Sequence, residues 1–473
     1  MQIPFIGGGY TGRSTNVNAQ ACVNLFPVID NQEAKNVIAL CGTPGLTSFS
    51  ALESGNDKVV RGVHVMSDYL YAVVNENVYR VTSAGVSTLL GTLTTNSGFV
   101  SMADNGIHVL IVDGTANGYL ATAGSLTAIA DADFPAACFC TFQDGYFIVV
   151  EPDTGRFWLS GLYDGTTWDA LDFATAEGRP DDSLAVISNT HDLWIFGKNS
   201  TEVYYNSGDP DTPFQRISGA LVDVGCGAIG SPCKLLGNLY WLSDKGQVMR
   251  NSGYQGQVIS TPHLDYQIST YSQIDDARAF SYIIDGHSFY VLIFPTDKKA
   301  WVYDITTGYW HEWQSYYTHD DSIPFSRHRS NCGCAFGLKQ IVGDYENGTL
   351  YELDMSTYSD NSHTIQRIRA AQTINKDRYN VIFNRLEIEF EAGTGLVTGI
   401  GDNPQAMLEW SDDGGHTWSN EHWRSIGKIG EYKRRAVWHR LGVSRNRVFR
   451  LTISDPVKTV ILAAYADLEA CRS

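Results

Sequence analysis

Apolar and polar positions recur along most of the chain in one block: a polar turn, an aromatic-rich strand, a second turn, a second strand. The turns stand at Asp68, Asn105, Asp144, Asp192, Asn238 and Asp285, with gaps of 37, 39, 48, 46 and 47 residues. Runs such as Tyr69–Val74, Gly106–Ile111 and Gly145–Val150 follow the turns. Second runs such as Val78–Val81, Phe157–Ser160, Val203–Tyr205 and Trp301–Asp304 come after them. A period near forty residues with paired strands predicts a β-propeller. A weaker seventh unit runs through Gln340–Gly343 and Gly348–Glu352, so the pattern fits six or seven blades.

The pattern divides the chain into three parts. Residues 1–60 are expected to form an extended N-terminal arm with anchors at Val23–Pro27 and Thr43–Leu46, and residues 61–360 the propeller. Near residue 360 the repeat stops. Residues 361–473 alternate as strands at Arg385–Phe390, Ala406–Trp410, Arg447–Ile453 and Val460–Ala463, which predicts a β-sandwich-like or jelly-roll domain. The fold class is therefore all-β. The best helical candidate is the short Asp275–Ala279 stretch.

Composition supports a turn-rich globular chain: 473 residues, 43% hydrophobic, 12% aromatic, with 45 glycines. The start, Met1–Gly7, has neither a basic region nor an apolar run, and no stretch approaches a membrane helix. A soluble protein made in the cytoplasm, with no membrane partner, is expected. The nine cysteines include the pairs Cys138/Cys140 and Cys332/Cys334 but no C-x-x-C, so buried free thiols are expected rather than zinc ligands.

Charge is uneven. The net charge is −18, but residues 361–473 carry 16 basic against 13 acidic side chains, and residues 1–360 carry 18 against 39. An acidic body disfavours non-specific wrapping of nucleic acid but does not exclude a role next to DNA, because an acidic channel wall repels phosphates and lets a duplex slide.

The strongest local motif is an Asp box at Ser411, Asp413, Gly415, Thr417 and Trp418, following S-x-D-x-G-x-T-W. Its chemistry is that of a turn: the carboxylate accepts backbone N–H bonds, glycine supplies positive φ, and tryptophan packs beneath. Asp164–Trp168 is a near miss. A sialidase-like enzyme would repeat the box and gather an arginine triad around a tyrosine. Gly7–Ser14 resembles a phosphate loop, but Arg13 replaces the lysine and strand–loop–helix context is absent. The pairs Asp131/Asp133 and Asp209/Asp211 lack a calcium loop, and His311, His319 and His328, near Asp320 and Asp321, are expected in loops. No catalytic, metal or cofactor residue is assigned. A basic stretch remains, with Lys433, Arg434, Arg435, Arg440, Arg445, Arg447 and Arg450 interleaved with Trp438, His439 and Phe449. Arginine among aromatics suits protein interfaces and nucleic-acid grooves alike, and a solvated face is the plain alternative; because the acidic body offers a complementary surface, a protein interface is favoured, with Arg434, Arg435, Trp438, Arg440, Arg445 and Arg447 as its candidates.

Several ordered segments resemble the packaged-DNA stabilisation proteins of short-tailed bacteriophages. They are Cys22–Pro27, Thr43–Leu46, Thr167–Glu177, Leu193–Gly197, Thr201–Tyr205, Trp410–Gly414, Trp438–Gly442 and Arg447–Arg450. The resemblance implies a non-enzymatic virion protein of the tail, assembled in the host cytoplasm. It implies a hexameric ring, a hub or nozzle below the portal and its adaptor. Such a ring closes the DNA exit channel, retains packaged double-stranded DNA without reading its sequence, and attaches tail fibre, tailspike or needle proteins. The alternative is a sialidase-like carbohydrate-active enzyme or lectin. A WD or kelch interaction array lacks its recurring signatures here.

Overall fold

The computed structural model describes residues 2–9, 12–16, 18–30, 37–176, 178–209, 212–317, 324–376 and 379–471. Seven four-stranded antiparallel blades form the propeller. Six of them lie in chain order over residues 60–92, 101–128, 139–175, 183–222, 233–258 and 278–312. The seventh pairs Ser330–Phe336, Lys339–Asp344 and Asn347–Asp354 with Gly45–Asn56 as its outer strand. The ring closes where blade 7 meets blade 1, and Asn331 Nδ2 donates to Val60 O at 2.9 Å. The segment expected as an arm thus supplies a whole strand of the last blade.

Each recurring polar turn joins the first and second strands of blades 1 to 6. Several are two-residue turns at positive φ, such as Asp144-Gly145 (52° and 94°) and Asp285-Gly286 (48° and 79°). Their backbone twist matches that of the flanking strands. Second strands are covered on both faces by neighbouring blades, so they read as unbroken apolar runs. All eight residues of His287–Phe294 are buried. Between blades 3 and 4, Ile148, Val150, Phe157 and Leu159 pack on Val186, Leu193, Ile195 and Tyr204.

The sandwich is not made from the C-terminal segment alone. One sheet has the order Leu25–Ile29, Ile38–Gly42, Val460–Cys471, Asn380–Phe390, Ala436–His439. The other has Ala21–Val23, Arg367–Ala370, Asn446–Ile453, Gln405–Ser411, His422–Ser425. Between them Ile3, Phe5, Leu25 and Leu40 pack with Phe383, Leu386, Trp438, Phe449 and Ile461. The second sheet also continues into the propeller, because Val23 pairs in parallel with Glu312 at the outer edge of blade 6.

Asn24 sits at that seam, fully buried at φ 54°. Its Nδ2 donates to Gln314 O at 2.9 Å and Gln366 O at 2.8 Å, and its Oδ1 accepts from Gln314 N at 2.9 Å. Asn24→Ala leaves three buried polar groups unpaired and is expected to cost about 3–5 kcal/mol in denaturant unfolding. Asn24→Gly, which keeps the backbone freedom, is expected to cost nearly as much. A loss confined to Asn24→Ala would mean that φ rather than the bonds matters.

One helix, Pro262–Ser269, is present among the described residues, capped by Thr261 and burying Leu264 and Ile268. The expected helix at Asp275–Ala279 is instead a turn entering the strand Arg278–Ile284. Two adjacent aspartates suit a turn better than a helix interior.

Candidate functional site

The Asp-box turn links Gln405–Ser411 to His422–Ser425. Asp413 Oδ1 accepts from the N–H groups of His416 and Thr417 at 3.0 and 2.9 Å, and its Oδ2 accepts from Thr417 Oγ1 at 2.6 Å. Ser411 Oγ donates to Asp413 Oδ1 at 2.6 Å and accepts from Gly415 N at 2.7 Å. The Ser411 and Thr417 hydrogen bonds hold the Asp413 carboxyl well below the usual carboxylate range. Both of its oxygens are engaged within the turn. Trp418 lies under the Arg450 guanidinium, 4.0 Å from ring centroid to Cζ.

The basic stretch divides into two groups. Trp438 and Arg447 are 1% exposed and cannot face a partner, which corrects their assignment to the interface. Trp438 fills the sandwich core and donates from Nε1 to His422 O at 2.7 Å. Arg447 forks the carboxylate of Asp412, Nε to Oδ1 and Nη2 to Oδ2 both at 2.7 Å, and lies over Phe383. Arginine beside aromatics serves packing as readily as recognition, and composition does not separate the two.

Arg434, Arg435, Arg440 and Arg445 are exposed. Arg435 reaches Glu387 at 2.9 Å, while Arg434, Arg440 and Arg445 form no ion pair among the described residues. They follow one sheet edge: Ala436–His439 and Val443–Ser444 both pair with Asn380–Phe390. Sequence reasoning missed their apolar companions Ile429, Tyr432 and Val443, exposed by 56, 76 and 52%. Their only sequence signal is a bulky residue beside a turn glycine, as in Ile429-Gly430 and Gly442-Val443.

The propeller bore does not carry the acidic charge. The seven innermost strands contain Arg61, Lys234 and Arg278 against the single acid Asp104. Exposed acids sit on turns and outer strands, among them Asp68, Asp144, Asp153, Asp169 and Asp172. Arg61, Arg278 and Arg327 do lie in a string, Arg278 donating to Arg61 O and Arg327 lying over Tyr345, the composition a sialidase-like site requires. Arg61, however, uses its guanidinium on Asn75 O, Thr95 O, Thr95 Oγ1, Ser97 O and Gly98 O. The adjoining cavity is about 130 Å³, below the range of sugar-sized pockets. A cleft of about 670 Å³ is lined by amides such as Asn16, Asn18, Gln372 and Asn375 and has no Phe, Tyr or Trp among its lining residues.

Buried charges cluster where blades 6 and 7 meet the sandwich. Arg329 bonds Asp344 and Glu346, both at 2.7 Å. Ser315 donates to Asp360 at 2.6 Å. His311 and His328 are fully buried here, not in solvated loops; His328 stacks on Trp313 at 3.6 Å. Burial drives His328 far below its usual range, so its 3.8 Å approach to Asp360 is not an ion pair.

Burial raises the Asp360 carboxyl to about 7, against the lowering effects of Ser315, Arg367 and Arg329. A raised carboxyl contributes fully below its unfolded value near 4, and that contribution is lost as pH rises through about 7. Asp344, raised by burial to about 6, acts in the same direction. His311, lowered by burial to about 4, acts oppositely: its contribution is present above about 6.5 and lost as pH falls toward 4. Asp360→Asn keeps an acceptor for Ser315. It is expected to stabilise by about 2–4 kcal/mol at pH 8 and by less than half as much at pH 5, read from paired denaturation curves. An equal effect at both pH values would contradict this.

The remaining sequence candidates are structural. A Cβ at Gly8 would stand 2.5 Å from Tyr309 Cδ1, and one at Gly9 2.5 Å from Arg369 Nη1, so these glycines admit close packing rather than phosphate. Tyr10 and Thr11 of that run lie outside the described residues, as do Asp211, His319, Asp320 and Asp321. Asp131 accepts from Asp133 N and Trp168 N, and Asp209 from Thr212 N. All nine cysteines are free, three of them buried and the rest partly buried.

A propeller fused through shared strands to a sandwich, with its unpaired arginines on a sheet edge, defines a structural scaffold of assembly type. Two family models cover nearly all of it. The bacteriophage P22 Gp10 β-propeller matches residues 1–358, and the bacteriophage P22 Gp10 β-sandwich matches residues 366–469. The chain belongs to this phage DNA-stabilisation family and is a structural protein of the phage tail. No curated protein matches it. Among solved structures it is similar to the WD40 β-propeller domain of Doa1, at 12% identity and TM-score 0.42, over 66% of this chain and 96% of that one.

Proposed function

We propose that the chain forms a ring, a hexameric hub or nozzle, below the portal and adaptor of a short tail. There it closes the DNA exit channel, retains packaged DNA and attaches distal fibre, tailspike or needle proteins after assembly in the host cytoplasm. The observation that carries this reading is a basic, partly apolar sheet edge on an otherwise strongly acidic chain that belongs to the Gp10 family. Arg434, Arg440 and Arg445 with Ile429, Tyr432 and Val443 fit a neighbouring copy or the adaptor, whose approach opposite charge steers. Two distinct patches meeting head to tail close into a ring. The acids on blade turns and outer strands suit a wall past which DNA slides, so the channel lies between copies rather than along a propeller bore. On this reading the chain works as propeller and sandwich units that change over near residue 360, and the Asp box serves as a structural clip. No catalytic role is assigned.

The test is mass measurement by light scattering of the purified protein, alone and with portal–adaptor rings. A stable ring on the adaptor is expected; a chain that stays monomeric with adaptor present would sink the proposal.

A further inference from the structure

Blades 2 to 4 hold most of the chain's negative charge. Residues 101–222 carry 17 Asp and Glu against 4 Lys and Arg, a balance of −13 in a chain of net charge −18. All four bases are already engaged: Arg156, Arg179, Lys198 and Arg216 each stand within 4.0 Å of an acid. Apolar surface joins this acidic excess at the turns that link first to second and third to fourth strands. Ile107, Leu162 and Tyr163 are more than half exposed there, and Tyr205 is exposed beside them. They form one patch. Tyr163 N donates to Gly145 O at 2.6 Å, and a Cβ at Gly145 would stand 2.7 Å from Leu162 Cδ1. Asp144 Oδ2 accepts from Asn206 Nδ2, next to Tyr205, at 3.2 Å. The Asp164 carboxyl is lowered by hydrogen bonds from Thr166 and Thr167 and, across the gap to blade 2, by His108, the neighbour of Ile107.

Large apolar side chains grouped in water mark a contact surface. The acids around them repel a duplex, so the occupant that fits is basic and partly apolar. The sandwich edge has both properties: Arg434, Arg440 and Arg445, without ion pairs among the described residues, stand beside the exposed Ile429, Tyr432 and Val443. One chain cannot join its own two surfaces. The sandwich meets the propeller at blades 6 and 7, and in a ring of seven, blade 3 stands opposite that seam. The basic edge lies farther out still. Its strand Ala436–His439 ends the sheet order that begins at Leu25–Ile29, whose Phe26 packs on Phe289 of blade 6 at 5.3 Å. Four strand spacings, roughly 20 Å, separate those two strands. The complementary surfaces therefore sit at opposite ends of the molecule, the arrangement that joins copies head to tail.

We propose, on the basis of the ring inferred above, that the face of blades 2 to 4 around Ile107, Leu162 and Tyr163 receives the sandwich edge of a second copy, its acids meeting Arg434, Arg440 and Arg445. The test follows assembly of full-length chains on portal–adaptor rings by light scattering. Ile107→Lys with Leu162→Lys places cations in the patch and is expected to weaken ring formation about tenfold or more, as Arg434→Glu with Arg445→Glu does. An equimolar mixture of these two variants is expected to assemble severalfold better than either alone, because each reversed surface then meets its reversed partner. Tyr205→Lys, on a strand of the same patch, is expected to weaken assembly in the same direction and serves if the paired turn variant fails to fold. Rings that form as in the wild type from both patch variants, or a mixture no better than its components, would overturn the docking and leave the ring in place. Wild-type chains that form no ring would overturn the ring and the docking together.

Discussion

Residues 361–473 produced alone are expected to show no cooperative unfolding transition. The sandwich core takes Ile3, Phe5, Leu25 and Leu40 from the other end of the chain, and two of its sheet neighbours, Ile38–Gly42 and Ala21–Val23, come with them. At about 1.5–3 kcal/mol for each buried large apolar side chain, those four contribute roughly 6–12 kcal/mol. That is comparable with the whole stability of a typical domain, about 5–15 kcal/mol. Without Ala21–Val23 and Ile38–Gly42 the segment also exposes unpaired strand edges, which promotes aggregation. Joining residues 1–44 to 361–473 through a flexible linker is expected to restore a sharp transition, followed by circular dichroism on heating. A sharp transition for 361–473 alone would show that the N-terminal strands are accessories rather than core.

The second large effect concerns assembly. Arg434→Glu with Arg445→Glu is expected to leave the stability of the isolated chain within about 0.5 kcal/mol, because neither arginine has an ion-pair partner to lose among the described residues. The same pair of reversals places like charges against an acidic neighbour and is expected to weaken ring formation roughly tenfold or more. Sedimentation at several salt concentrations checks both points, since attraction across such an edge is screened over about 10 Å at 0.1 M salt. Arg447→Glu is a contrasting control: it leaves Asp412 unpaired beside a buried like charge and should unfold the Asp-box hairpin instead. Rings that form equally well with both exposed arginines reversed would move the interface elsewhere.

The legible and illegible parts of the fold separate along one physical line. Six blades announce themselves because Asp144-Gly145 and Asp285-Gly286 must take positive φ and because strands such as His287–Phe294 are apolar on both faces. Both are local properties. Blade 7 is fainter because its first turn is Gly337-Leu338, with Leu338 wholly exposed, and its outer strand, Gly45–Asn56, lies about 300 residues upstream of the strand it pairs with. The N-terminal strands are hidden for the same reason. Asn24 meets Gln314 and Gln366 across separations of 290 and 342 residues, and no local pattern encodes that. The helix was within reach, since Thr261-Pro262 is an N-cap followed by proline at the first turn. At the candidate interface the sequence shows which residues are arginine and aromatic. It does not show that Arg447 bonds Asp412 and Trp438 fills a core while Arg434 and Arg445 face solvent. Burial there depends on which strand occupies the sheet edge, a tertiary property.

The most direct test of a tail ring held together through the sandwich edge is cryo-electron microscopy of an intact particle. The account predicts this chain in a ring below the portal and adaptor, with Arg434, Arg440 and Arg445 against a neighbouring chain or the adaptor. It also predicts propeller bores free of duplex. A sandwich edge open to solvent in the assembled tail, or DNA threading a propeller bore, would contradict it.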